Sequence, residues 1–357
     1  MKELLLKLRG VLSEEEYVEY DRFYRSPLIG QNEAFIHAAN IEMEESDVLE
    51  KKSEIVQQIK TELKKSDSLN LTIRGKTGLK VSGIIRSKPD SLQGKIAFVS
   101  GAAGAIGHGI CKKLLEEGCF VAASDIDEKR LNALTADFEK DFETRIIGVQ
   151  ADVTNADSVG MALDKIIQTW GGLDFTVVNA GVAHVAKLED MKLQDFQRLE
   201  KINIEGTLIT ISEVSKRLKL QGIGGDIVLV STKNVFAPGA GFGAYSATKA
   251  ASHQLARIAS LELAADNIRV NMVSPDAVFS SGEFKSGLWQ EVGPGRMKAR
   301  GLDAQGLEDY YQNRNLLKAK VTARHVGNAV VFFLSRQTPT TGATIPVDGG
   351  LPDATPR

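Results

Sequence analysis

The sequence predicts an α/β chain, with a doubly wound parallel sheet over most of its length and a small α+β extension in front. Three observations carry this. Short apolar runs alternate with helical stretches from Gly94 onward. A turn of small residues, Ser100-Gly101-Ala102-Ala103-Gly104-Ala105-Ile106-Gly107, joins the first run to the first of those helices. An acid, Asp125, ends the second run about 20 residues later.

Residues 1–90 form the predicted extension. Ser13 with Glu16 makes a capping box before a short helix, and Asp47 with Glu50 makes another. Behind the second, Ile55, Val56, Ile59 and Leu63 recur at helical spacing. Leu69, Leu71 and Ile73 alternate, then Leu79 and Val81, around the turn-like stretch from Arg74 to Gly78, which predicts a hairpin. Gly75-Lys76-Thr77 imitates the end of a phosphate loop. That motif needs a glycine five residues before its final glycine, where this chain has Asn70, so it is rejected. Ser87 to Gln93 reads as a linker. The extension shows no chemical constellation, and its role stays open.

Residues 91–357 form the main predicted domain. Its strands are Ile96–Val99, Phe120–Ala123, Arg145–Val149, Leu173–Val178, Ile227–Val230, Ile268–Val273 and Ala343–Val347. Strands separated by helices pair in parallel through right-handed crossovers, which gives the doubly wound sheet.

The totals exclude several classes. The chain has 357 residues, 43% hydrophobic and 25% charged, with a net charge of −2. That balance favours neither nucleic acid nor a membrane surface. No apolar run approaches the roughly 20 residues of a membrane helix. The start MKELLLKLRG is too short an apolar core for a signal peptide, and Glu14, Glu15 and Glu16 do not suit a transit peptide, so a cytoplasmic protein is expected. Two cysteines, Cys111 and Cys119, build no disulfide framework. The five histidines lie too far apart for metal-ligand spacing, so no metal is expected.

The glycine-rich turn lets a backbone approach a diphosphate, and the helix behind it offers free N–H groups and a positive dipole end. A tight loop without a ligand is the plain alternative. Placement between strand and helix, with Asp125 where an acid bonds ribose hydroxyls, favours a Rossmann-like dinucleotide site. A carboxylate there repels the 2′-phosphate of NADP, so NAD is the expected cofactor. Lys129 and Arg130 stand one turn further into the next helix. Tyr245 and Lys249 are i and i+4 and share a helix face. An ammonium beside a phenol lowers the phenol's pKa from about 10, so such a tyrosine can exchange a proton. Alone, that pair is common on surface helices.

The pair is not alone. Gly101-x-x-Gly104-x-x-Gly107, Asp125, Asp152-Val153, Asn179-Ala180-Gly181, Asn203-x-x-Gly206, Thr232, Tyr245-x-x-x-Lys249 and Val347-Asp348-Gly349-Gly350 occur in that order. From Gly94 to about Gly350 the chain thereby resembles the short-chain dehydrogenase/reductase family. The resemblance implies that Tyr245 is the acid/base and that Lys249 holds the nicotinamide ribose and tunes the tyrosine. It implies that Asn203 kinks its helix and orders a relay water, and that Asp152 and Val153 touch the adenine. Asn179, Ala180 and Gly181 then support the sheet beside the cofactor. Further cofactor contacts are expected from Gly101, Ala103, Gly104, Ile106, Gly107, Ile126, Pro275, Asp276 and Val278. A homodimer or homotetramer is also implied. Three positions depart from the family. Ala105 and Asp276 replace glycines, and Thr232 replaces the serine thirteen residues before Tyr245 that orients the substrate oxygen. Threonine keeps the hydroxyl and adds a stiffer χ1. Ser231 is the rival, but alternation along a strand points it to the other face, which favours Thr232.

A narrower resemblance exists to the dehydrogenase half of bifunctional rhamnulose-phosphate aldolase/short-chain dehydrogenase proteins. It rests on Lys233-Asn234, Ala237-Pro238-Gly239, Pro275-Asp276-Ala277-Val278, Ser286-Gly287-Leu288-Trp289, Tyr310-Tyr311-x-x-Arg314 and Pro356-Arg357. It implies a small hydroxylated substrate: a sugar, polyol or hydroxyaldehyde of carbohydrate metabolism. Lys233, Asn234 and Trp289 join Thr232 and Tyr245 as expected substrate contacts. Phe279 to Ala319 reads as a substrate-covering segment, mixing Trp289, Tyr310 and Tyr311 with Lys285, Arg296, Arg300, Arg314 and Lys318. The expected activity is NAD-dependent interconversion of an alcohol with its carbonyl product. Two rivals are a sugar-nucleotide epimerase or dehydratase, and a non-catalytic NAD-binding interaction protein. Asn179-Ala180-Gly181 and the ending Val347-Asp348-Gly349-Gly350 disfavour the first, and turnover of any alcohol excludes the second.

Overall fold

The computed structural model describes residues 17–21, 39–44, 51–63, 68–74, 80–86 and 92–351. Strands β1 (Tyr17–Asp21), β2 (Ala39–Glu44), β3 (Ser68–Arg74) and β4 (Lys80–Arg86) form one sheet in the order β1-β4-β3-β2. The predicted hairpin is β3 and β4, antiparallel with Leu71 opposite Gly83. Helix α1 (Lys52–Leu63) buries Ile55 and Ile59, two residues of the predicted stripe. The two capping boxes lie outside the described residues, as do Ser87 to Ser91 of the linker. Behind the first box the expected short helix is replaced by β1. Its Tyr-Val-Glu-Tyr sequence is rich in β-formers, and pairing with β4 outweighs the local helix-start signal. Leu92, assigned to the linker, is buried in the main core.

The second sheet is the predicted one. Its strands are β5 (Ile96–Ser100), β6 (Phe120–Ser124), β7 (Ile146–Gly148), β8 (Phe175–Val178), β9 (Gly225–Val230), β10 (Ile268–Pro275) and β13 (Thr344–Val347). They run in the order β13-β10-β9-β8-β5-β6-β7, every pair parallel. Alternation divides each strand between two cores. Ala97 and Val99 pack with Ile110 and Leu114 of α2 (Ala105–Glu116), Leu131 of α3 (Glu128–Phe142) and Val326 and Val330 of α10 (Ala323–Leu334). Ile96 and Phe98 pack on the other face with Leu163 of α4 (Ala156–Trp170), Val214 of α6 (Gly206–Gln221) and Ala256 of α7 (Gly243–Glu262). Both faces are covered, which is why these strands read as unbroken apolar runs. The chain moves outward from β5 to β6 and β7, then returns to place β8 on the other side of β5. This reversal opens a crevice at the carboxyl ends of β5 and β8, where doubly wound sheets bind ligands. The remaining elements are α5 (Leu193–Leu199), a π-helical stretch at Glu200–Glu205, the two-residue strands β11 (Ser280–Ser281) and β12 (Phe284–Lys285), α8 (Gly287–Arg300) and α9 (Ala304–Asn313). Cys111 and Cys119 are buried free thiols.

Candidate active site

A cavity of about 660 Å³ occupies the crevice. Of the residues expected to act in catalysis, to hold the cofactor or to touch the substrate, all but Ala103 and Asn203 line it.

The glycine turn forms one end. Gly101 has φ +61°, and a Cβ there would lie 2.7 Å from Ala180 Cα. A Cβ on Gly107 would lie 2.3 Å from Gly101 O. Both glycines are therefore required by close packing. Gly104 differs, since its nearest neighbour would be Gly101 O at 3.7 Å. Its missing side chain leaves a cradle open to the cavity at the N-terminus of α2, where no side chain caps the helix. Ser100, missed in the sequence, ties the turn to β8. Its Oγ accepts from Asn179 N at 3.1 Å and Ala180 N at 3.2 Å, while Asn179 Nδ2 donates to Gly101 O at 2.8 Å. The only sequence signal for it was a hydroxyl at the end of an apolar strand.

Asp125 accepts from Ala103 N and Asp127 N, each at 3.1 Å. Ala103 was expected to touch the cofactor. It is fully buried instead, its N–H held by Asp125 and its carbonyl accepting from Arg130 Nη2 at 2.7 Å. Arg130 also lines the cavity, so it reaches back to the turn from which the sequence placed it a turn away. Asp152 accepts from Thr154 N and Oγ1, both at 2.8 Å, which holds Val153 beside the cavity.

The chemical end lies where β9 meets α7. Thr232, Tyr245 and Lys249 are all buried. Burial pushes the Tyr245 phenol up to about 12, with the Thr232 hydroxyl beside it pulling the other way. Burial pushes Lys249 down to about 8, and its Nζ donates to Val230 O at 2.7 Å. Desolvation is thus the largest influence on both groups. Ser231 turns away, with its Oγ 2.9 Å from His253 Nδ1. Asn203 sits in the π-helical stretch, a local widening where a kink was expected. Its Oδ1 accepts from Val182 N at 2.9 Å and its Nδ2 donates to Val182 O and Thr248 Oγ1. It backs the cavity wall instead of lining it. A Cβ on Gly181 would fall 3.2 Å from Asn203 Oδ1 and 3.8 Å from Lys249 Nζ, so Gly181 separates them.

Beyond Thr232 the cavity is lined by Lys233, Asn234 and residues of the segment from Phe279 to Ala319. Asn234 is buried and its Oδ1 has no hydrogen-bond partner among the described residues. Lys233 Nζ donates to Ala237 O at 2.9 Å. Trp289 stacks on Phe279 at 4.4 Å and meets the edge of Tyr311. Asp276, expected at the cofactor, is paired with Arg314, whose Nη2 donates to Oδ2 at 2.7 Å. Pro275 and Val278 flank it on the cavity wall. Of the segment's basic residues, Arg296, Arg300 and Arg314 line the cavity, while Lys285 and Lys318 do not.

A profile described as short chain dehydrogenase matches residues 95–288, more than half of the chain. The chain belongs to the short-chain dehydrogenase family. The oxidoreductase YuxG of Bacillus subtilis is 31% identical to this short-chain dehydrogenase over 265 residues, 74% of the chain and 38% of the relative, so the chain spans well under half of that relative's length. A glucose 1-dehydrogenase of Gluconobacter oxydans is 30% identical over 263 residues, 73% of the chain and 93% of the relative. Sorbitol-6-phosphate 2-dehydrogenase SrlD of Erwinia amylovora has a TM-score of 0.66 at 28% identity, covering 71% of this chain and 98% of that one. The family's oxidoreductases use a nicotinamide cofactor. The open cradle at Gly104, the uncapped start of α2 and the acid Asp125 suit a dinucleotide. No helix among the described residues is long and apolar enough to cross a membrane.

Proposed function

We propose that this short-chain dehydrogenase interconverts a small hydroxylated compound, of the sugar, polyol or hydroxyaldehyde class, with its carbonyl product, and that NAD is its cofactor. The observation that carries the reading is that the buried Thr232, Tyr245 and Lys249 line the same cavity as the Gly104 cradle. The cradle and the start of α2 would hold the diphosphate, and Asp125 the adenosine ribose. When bound, the nicotinamide supplies or accepts the hydride. The protein's own work concerns the proton and the substrate oxygen. Tyr245 gives its phenolic proton to that oxygen in reduction and takes one from it in oxidation. Thr232 orients the oxygen, Lys249 holds the nicotinamide ribose, and Asn203 keeps Val182 and Thr248 in place behind them. The unpaired Asn234 Oδ1 accepts from a substrate hydroxyl.

The narrower likeness to a dehydrogenase half rests on the sequence motifs alone; the Bacillus relative, of which this chain matches 38%, is a longer oxidoreductase. The proposed assembly is a cytoplasmic dimer or tetramer, for which the exposed Leu208, Ile258 and Leu261 on α6 and α7 offer apolar contact. The test is a screen of the purified protein against polyols, sugars and hydroxyaldehydes, read as NADH absorbance. Absence of turnover on all three classes would remove the reading.

The substrate hydroxyl has its own test. Thr232→Val keeps the shape and removes the bond, leaving a polar substrate atom unpaired at a cost of about 1–3 kcal/mol. The expected loss in kcat/KM is about tenfold to a hundredfold. Thr232→Ser should keep most activity, and Ser231→Ala should be mild because its hydroxyl faces His253. A large loss in Ser231→Ala with Thr232→Val unaffected would move the role by one residue.

Cofactor choice pits Asp125 against Arg130. The carboxylate favours ribose hydroxyls and opposes a 2′-phosphate, so the wild type should prefer NAD by kcat/KM. Asp125→Ala should shift preference toward NADP, since Arg130 then faces that end of the cavity without the nearby carboxylate. Equal use of both cofactors by the wild type would refute the assignment, and so would unchanged preference in the variant.

A further inference from the structure

The lid end of the cavity carries more positive charge than its own acids balance. Arg296 and Arg300 are i and i+4 on α8 and share a face. Arg296 lies over the Phe242 ring at 4.4 Å and Arg300 over the Tyr310 ring at 4.8 Å. Both line the cavity, and among the described residues neither forms an ion pair with a carboxylate. Among the described residues, Arg296 forms one long hydrogen bond, Nη2 to Ala240 O at 3.3 Å, and its buried Nε has no partner. Arg314 is different, because Asp276 neutralises it. The other acid on this wall, Glu291, is held by His184 at 2.9 Å and Arg198 at 3.7 Å. The three guanidiniums sit over three aromatic rings of the same cavity, Phe242, Tyr310 and Tyr311. Burial raises the Tyr311 phenol, and Arg296, Arg314 and Arg300 all pull it down.

We propose that Arg296 and Arg300 form an anion subsite for the substrate, which is therefore a phosphate monoester of a polyol or sugar. This rests on the oxidoreductase reading above and adds the substrate's charged group. A guanidinium held face-on by a ring keeps its rim of N–H donors for an oxyanion, the geometry that suits bidentate phosphate contact. Two unpaired guanidiniums match a phosphate carrying close to two negative charges at neutral pH. The cofactor's diphosphate does not need them, since the Gly104 cradle and the uncapped start of α2 offer it a place of their own. The aromatic wall of Trp289, Tyr310 and Tyr311 gives the carbon skeleton a surface to lie against.

The experiment uses the full chain, with NAD for the polyols and NADH for the ketoses, and two readouts. The first is kcat/KM on sorbitol 6-phosphate against sorbitol, and on fructose 6-phosphate against fructose. The wild type should prefer the phosphorylated member of each pair, and Arg300→Gln should cut that preference about tenfold or more, as loss of a charge-assisted bond predicts. The second is tryptophan fluorescence titrated with inorganic phosphate. Only Trp170 and Trp289 contribute, and Trp170 is buried in the far core against Phe120. A saturable change should appear in the wild type and vanish in Arg300→Gln. Arg296→Gln should behave alike, with thermal melting to exclude loss of the Phe242 stack. Equal kcat/KM for phosphorylated and neutral substrates would overturn the subsite and leave the oxidoreductase reading intact. So would a preference for sugar acids, an absent phosphate response, or variants that lose NADH affinity instead. Arg300-dependent phosphate binding without turnover of any polyol or its phosphate would keep the subsite and overturn the reading of the reaction.

Discussion

Tyr245→Phe should lower turnover about a hundredfold or more while leaving NADH affinity nearly intact, as expected when a general acid/base is lost but its ring remains. The ring fills the same space beside Phe242, with centroids 6.1 Å apart, so packing gives no reason for misfolding. The phenol's elevated pKa gives this prediction a direction. A group pushed up to about 12 holds its proton throughout the neutral range. It is ready to donate in carbonyl reduction, whereas alcohol oxidation needs the phenolate. Oxidation by the wild type should therefore rise with pH across the neutral range, and reduction should not. Steady-state rates in both directions between pH 6 and about 9, for wild type and Tyr245→Phe, test this against the expected acid/base behaviour. Near-normal turnover in the variant would place the proton transfer on another group.

What could be read from the sequence follows from the range of each interaction. Ile96–Val99 is recognisable as a strand because both its faces are buried, so every position is apolar. The glycine turn is recognisable because Gly101 and Gly107 meet backbone at distances no side chain survives. β2 was missed, since its Asn-Ile-Glu-Met alternation spans only a few residues and its partner β3 is remote in sequence. Arg130 stands on its helix as the sequence predicts, but it reaches further than its position suggests. Helical side chains lean toward the N-terminus, and an arginine is long enough to cover a whole turn, so it bonds Ala103 O. The pairing of Asp276 with Arg314 and the bond from Lys249 to Val230 O were not legible, because each depends on how separate elements pack. The same limit explains Asn203. Its place in the motif was visible, but its position behind the wall follows from its bonds to Val182 and Thr248.

Lys249→Met should abolish most turnover and, at neutral pH, make the fold no less stable. Methionine fills the space of the lysine stem without the ammonium. The proposed ribose contact is lost, so kcat/KM should fall about a hundredfold and NADH affinity should weaken as well. Stability moves the other way. The Lys249 value of about 8 in the folded protein lies below its ordinary 10.5, so the unfolded chain binds the proton more tightly. The folded state therefore carries a charge-burial penalty that is complete below about 8, shrinks as pH rises through the window to 10.5, and is gone above it. After relaxation of the site this penalty is about 1–3 kcal/mol. Removing the ammonium also strips Val230 O of its donor, at a cost of about 1 kcal/mol. The net expectation is a melting temperature equal to the wild type or raised by about 2–4 °C at pH 7. That advantage should disappear, or reverse, above pH 10.5, where the wild-type lysine is already neutral. Thermal melts of both proteins across this window give the difference directly, because other titrating lysines cancel. A variant that is several degrees less stable at pH 7 would mean that the bond to Val230 O matters more to the fold than the buried charge costs. Lys249 would then be a structural residue as much as a functional one.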